Sequence, residues 1–114
     1  MHELSLSQAI IERIRQSMDE GDRVLEIAMT VGRLSCVNPA SLEFCLEALM
    51  EQADMGSPEI VIERTPALLR CRECGAEFET EDMYTPCPEC GAMAREVLSG
   101  RDLVVDYVRV ESPD

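Results

Sequence analysis

At 114 residues the chain has material for one compact core with little surplus, so a structural metal would matter to its stability. Its formal net charge of −13, from 23 acidic against 10 basic residues, repels phosphate backbones and anionic membranes and leaves cations as the favoured partners. No stretch approaches the roughly 18 apolar residues of a membrane span, and Glu3, Glu12, Arg13 and Arg15 break up the opening segment where a signal peptide would be uncharged. The cytoplasm is the expected compartment, and there six cysteines read as metal ligands before they read as disulfides.

Residues 5 to 18 have helical spacing, with Ser5-x-x-Gln8 as a capping box and Ile10, Ile11, Ile14 and Met18 on one face. Met1, His2 and Glu3 are then expected to precede the helix and stay accessible. After the turn Asp19-Glu20-Gly21-Asp22, Leu25, Ile27, Met29 and Val31 alternate with Glu26, Ala28 and Thr30, which predicts a half-buried strand. Asn38-Pro39 is an N-cap and first-turn pair for a second helix, whose apolar stripe is Leu42, Cys45, Leu46, Leu49 and Ala53 and whose end is Gly56-Ser57-Pro58. Ile60-Val61-Ile62 and Leu103-Val104-Val105-Asp106-Tyr107-Val108 predict two more strands, on either side of a cysteine-rich excursion. The pattern implies an α+β fold of two helices packed on a small sheet of about three strands, with an inserted metal-bound ribbon. The expected division is a domain of residues 1–69 and 101–114 around a ribbon of residues 70–100.

Cys71-x-x-Cys74-Gly75 and Cys87-x-x-Cys90-Gly91 each bring two thiolates into a tight turn, and the glycine permits the left-handed backbone such turns need. Twelve intervening residues suffice to close a four-sulfur site. Zinc is the expected occupant; iron satisfies the same ligands, and a redox pair is a further reading. The ribbon's own apolar residues, Phe78, Met83 and Tyr84, stand among Glu77, Glu79, Glu81 and Asp82, so it is expected to fold on metal. From Cys71 to Cys90 the single base Arg72 faces six acids, which argues against contact with nucleic acid. Cys45 reads as a small core residue and Cys36 as partly exposed. His2, the single histidine, is better explained at the terminus, so neither cysteine has a partner for protease-type catalysis and no enzyme is implied.

At the other end, the Met1 amine, the His2 imidazole and the amides of His2 and Glu3 lie within a few bonds of one another. A bulky second residue should protect Met1 from removal. These nitrogens suit square-planar nickel(II) or copper(II), and the bland alternative is an exposed histidine at a frayed end.

The whole pattern resembles the HypA/HybF family of hydrogenase nickel-incorporation proteins. The resemblance rests on Met1-His2-Glu3-Leu4-Ser5-Leu6, on Val31-Gly32-Arg33-Leu34-Ser35-Cys36-Val37-Asn38-Pro39, on the two CxxCG knuckles, and on Gly100-Arg101-Asp102-Leu103. Arg33, Cys36 and Asn38 stand where the family usually has glutamate, often glycine and commonly an acid. What the resemblance implies is a metallochaperone, without turnover of its own, that carries Ni(II) as cargo at Met1, His2 and Glu3. Structural Zn(II) would be held by Cys71, Cys74, Cys87 and Cys90. Its implied partners are a HypB-type GTPase and the large subunit of [NiFe] hydrogenase, with no nucleic acid and no membrane; a homodimer is compatible with it. The alternative function is an acidic zinc-ribbon interaction or regulatory module in which His2 has no role.

Overall fold

The computed structural model describes residues 3–113 and the backbone of His2. Two helices and six strands follow in the order α1 (His2–Gln16), β1 (Arg23–Gly32), α2 (Pro39–Gln52), β2 (Glu59–Thr65), β3 (Ala67–Cys71), β4 (Glu77–Thr80), β5 (Arg95–Ser99) and β6 (Leu103–Glu111). The strands form two three-stranded sheets, ordered β2-β1-β6 and β4-β3-β5. The α+β reading holds, and the cysteine-rich segment between β2 and β6 contains a sheet of its own that its sequence did not announce.

The chain divides into two compact units, one of residues 1–29, 37–62 and 105–114, the other of residues 30–36 and 63–104. In the first, Ile10, Ile11 and Ile14 of α1, Val24, Ile27 and Met29 of β1, and Leu42, Leu46 and Met50 of α2 are buried. On the two helices this is the outcome of apolar residues recurring at helical spacing; on β1 burial departs from strict alternation, since Ala28 is buried between Ile27 and Met29. Leu25, expected inside, is 40 % exposed, while Val24 beside it is buried. Cys45 and Leu49 are half-buried, flanking the buried Leu42, Leu46 and Met50.

The expected start of α1 is corrected: the helix begins at His2, so Ser5 and Gln8 lie within it and do not cap it, and Glu3 occupies its first turn. A carboxylate there suits the positive end of the helix dipole, and Glu3 Oε2 also accepts a hydrogen bond from the Asn38 amide at 3.2 Å. That tertiary contact fixes the turn that sequence spacing alone leaves free. Asn38 is the N-cap expected for α2, its side chain accepting from the Ser41 amide at 3.1 Å, with Pro39 following.

The second unit has a smaller interior. Val31, Ala67 and Leu69 are its buried aliphatic side chains among the described residues, joined by Cys71 and Cys87. Of the three ribbon residues expected to pack, Phe78 is half-buried, but Met83 and Tyr84 are exposed, Tyr84 by 83 %. Polar contacts organise that loop instead: Asp82 Oδ1 accepts from the amides of Tyr84 at 2.7 Å and Thr85 at 3.1 Å. Antiparallel pairing sets Arg70 of β3 opposite Glu77 of β4 and Glu96 of β5, and its guanidinium bonds both carboxylates, at 3.0 and 3.4 Å.

Two motifs of the resemblance meet within this unit. Gly32 donates to the Asp102 carbonyl at 2.9 Å and Leu34 to the Gly100 carbonyl at 2.8 Å, while Arg33 donates to Thr65 at 3.0 Å. A Cβ on Gly32 would overlap the backbone of Gly100, so glycine there is a requirement of close approach. The Arg33 side chain pairs with Glu81 at 3.3 Å, a partner not legible from the sequence.

Candidate metal centre

The two knuckles fold alike. Gly75 donates to the Cys71 carbonyl at 2.9 Å and Gly91 to the Cys87 carbonyl at 2.8 Å; Cys71 donates to Ala76 at 2.8 Å and Cys87 to Ala92 at 3.0 Å. Gly75 and Gly91 have φ of 80° and 76°, the left-handed conformation their position suggested. Each knuckle thus curls around its first cysteine, which is buried, and leaves its second exposed.

These two turns bring all four sulfurs together, every pair within 4.8 Å. Cys71 Sγ lies 3.6 Å from Cys90 Sγ, and Cys74 Sγ lies 3.6 Å from Cys87 Sγ, so each close pair takes one sulfur from each knuckle. A disulfide needs about 2.05 Å, whereas four sulfurs at the zinc–thiolate distance of about 2.3 Å would form a tetrahedron with edges of ~3.8 Å. The observed spacing fits a tetrahedral ion and not a covalent pair.

Electrostatics point the same way. The amide of Cys74, helped by that of Glu73, lowers the Cys71 thiol to about 7 against the opposing effect of burial. At Cys90 the Ala92 amide is again the largest single influence and lowers the value. The Cys71 thiol, burial and the other two thiols together outweigh it and push Cys90 up to about 12. Cys74 is also raised, because the Cys87 thiol and burial outweigh the Ala76 amide. Four thiolates crowded into this space repel one another, and a divalent cation removes that cost. The residues therefore fit a closed four-thiolate metal site of the structural kind.

The N-terminal trio stands differently. Met1 and the side chain of His2 lie outside the described residues, and of the three expected nickel ligands Glu3 alone is described in full. The expectation that all three precede the helix is overturned for His2 and Glu3, which belong to α1. The first amides of an α-helix have no intrahelical acceptor, so helix formation does not use up those N–H groups.

Comparison with known proteins now decides the family. The family model for hydrogenase/urease nickel incorporation, the HypA metallochaperones, matches residues 1–110. The chain belongs to the HypA family. Relatives include the hydrogenase maturation factor HypA of Geotalea uraniireducens, 41 % identical over 97 % of this chain and 100 % of its own. That of Geobacter metallireducens is 40 % identical over the same shares. The solution structure of the Ni metallochaperone HypA from Helicobacter pylori shares the fold, with a TM-score of 0.61 and 15 % identity over 96 % of this chain and 97 % of that one. The HypA match spans both the N-terminal trio and the four cysteines. No helix among the described residues is long and apolar enough to cross a membrane.

Proposed function

We propose that this HypA-family chain is a nickel metallochaperone that takes Ni(II) as cargo at Met1, His2 and Glu3 and passes it on for maturation of [NiFe] hydrogenase. The observation that carries the reading is a family match that includes the first three residues, in a chain whose one histidine is His2. The α-amine, the imidazole and the amide nitrogens of His2 and Glu3 supply the nitrogen-rich set that nickel(II) favours. Glu3 has a second task, because its carboxylate is held on the Asn38 amide and ties the cargo end to the start of α2.

Cys71, Cys74, Cys87 and Cys90 are the residues that would hold zinc, which when bound supplies a cross-link between the knuckles and no reactivity. The protein is read as non-catalytic and cytoplasmic. Residues 1–69 and 101–114 are read as the nickel-binding domain and 70–100 as the zinc ribbon. A HypB-type GTPase and the hydrogenase large subunit are the partners this reading assigns. The family description also names urease, so the client is a nickel enzyme whose identity a deletion strain would reveal.

A chemical peculiarity makes the cargo site testable: all ten basic residues are arginines, so the α-amine is the chain's one primary amine. An amine-reactive probe then labels the terminus with no lysine background. Nickel should protect that amine from labelling in the wild type and not in His2→Ala, with zinc content equal in both. Labelling unaffected by nickel in the wild type would remove the amine from the ligand set.

A further inference from the structure

Strand β6 ends the sheet β2-β1-β6, and among the described residues no strand pairs with its outer side. An edge of this kind presents unpaired backbone N–H and C=O groups. Within the first unit, a groove of about 680 Å³ runs between α1 and β6, walled by Ile10 and Ile14 from the helix, Met18 just beyond its end, and Val105, Val108 and Val110 from the strand. Its one charged wall residue is Arg13. The positions one helical turn away are Ala9, Ile10, Gln16 and Ser17, none a carboxylate, and Arg13 has no ion pair among the described residues of a chain with 23 acids.

We propose that this groove docks an extended segment of a protein partner, which adds a strand to β6, sets apolar side chains from alternate positions between α1 and β6, and places a carboxylate on Arg13. Each feature of the site selects one feature of the occupant. The open edge requires a main chain, which a fatty acid lacks. Side chains on one face of a strand recur every ~7 Å, a spacing that lets an i, i+2 pair follow Val108 and Val110. The unpaired guanidinium selects a carboxylate, with which it can form a charge-assisted hydrogen bond. The net charge of −13 repels an acidic run, so the segment carries one acid among apolar and neutral residues, and it disfavours a second copy of the chain. The inference does not depend on either metal.

The test uses the zinc-loaded full chain, ¹⁵N-labelled, and a synthetic peptide, acetyl-Glu-Val-Thr-Val-Thr-Val-amide. Binding should shift the amides of residues 105–110 and of α1. Replacing the peptide's Glu by Gln should weaken binding about tenfold, the scale of one charge-assisted hydrogen bond. Arg13→Gln, at an exposed helix position where folding is checked by circular dichroism, should abolish that difference between the two peptides. A peptide N-methylated on the amides that face β6 should not bind. The proposal is overturned if laurate binds here and the peptide does not, if Arg13→Gln leaves the Glu preference intact, or if the N-methylated peptide binds equally. Concentration-dependent shifts of β6 in the free chain would overturn it in favour of self-association.

Discussion

The two compact units solve the same problem with different chemistry. The first buries twelve apolar side chains among the described residues, each large one contributing about 1.5–3 kcal/mol. The second buries Val31, Ala67 and Leu69, and its remaining buried apolar positions are Cys71 and Cys87. Where aliphatic packing runs short, sulfur fills the centre, and a structural zinc is worth roughly 10–16 kcal/mol in finger peptides. The difference leads to the expectation that the first unit keeps its order without metal and the second does not.

The largest expected effect breaks the comparison if it fails. Removing metal with a chelator, or Cys74→Ala, should strip hydrogen-exchange protection from β3, β4 and β5 and leave α1, α2 and Ile27 of β1 protected. Equal loss in both units would mean that they do not differ as described. The converse variant, Leu46→Ala, opens a cavity in the first unit and should cost about 2–5 kcal/mol of its stability while zinc content stays at one per chain.

How much of this was legible beforehand follows from the range of the interactions concerned. The knuckles were readable because a CxxCG turn is local: cysteine spacing and glycine conformation follow from five residues repeated once, and the repeat itself pointed to a shared site. The stripes of α1 and α2 were readable from periodicity. The first turn of α1 was not, because what fixes it is Glu3 meeting Asn38, 35 residues away. The three-stranded sheet around the knuckles was missed for a similar reason. Glu77–Thr80 and Arg95–Ser99 are short and rich in charge, and they become strands through pairing with β3, where Arg70 meets Glu77 and Glu96. Val24 and Leu25 show the limit of the alternation rule, the buried residue being one position from the expected one.

Acidity should sharpen the contrast. Zinc must displace thiol protons, so its affinity falls as pH falls. Because Cys74 is raised and Cys90 is pushed up to about 12, both still hold protons at neutrality in the metal-free cluster, and affinity should keep rising above pH 7. Competition with a chelator at pH 6, 7 and 8 measures the slope; a flat profile would contradict proton displacement at these thiols.

Smaller effects probe each unit at one atom. The Ser7 hydroxyl is buried with no hydrogen-bond partner among the described residues, so Ser7→Ala should stabilise the first unit by about 1 kcal/mol in denaturant unfolding. In the second unit Cys36 adopts φ of 64°, a conformation that favours glycine. Cys36→Gly should be neutral to stabilising, by up to about 1 kcal/mol.

The central claim is that the chain serves two metals at two separate sites, a cargo ion at its start and a structural ion in its knuckles. Isothermal titration of nickel into zinc-loaded wild type, His2→Ala and a form extended by one residue before Met1, with zinc measured before and after, tests this most directly. The account predicts tight nickel binding in the wild type alone and the same zinc content in all three. Equal nickel affinity across the three, or loss of zinc on adding nickel, would contradict it.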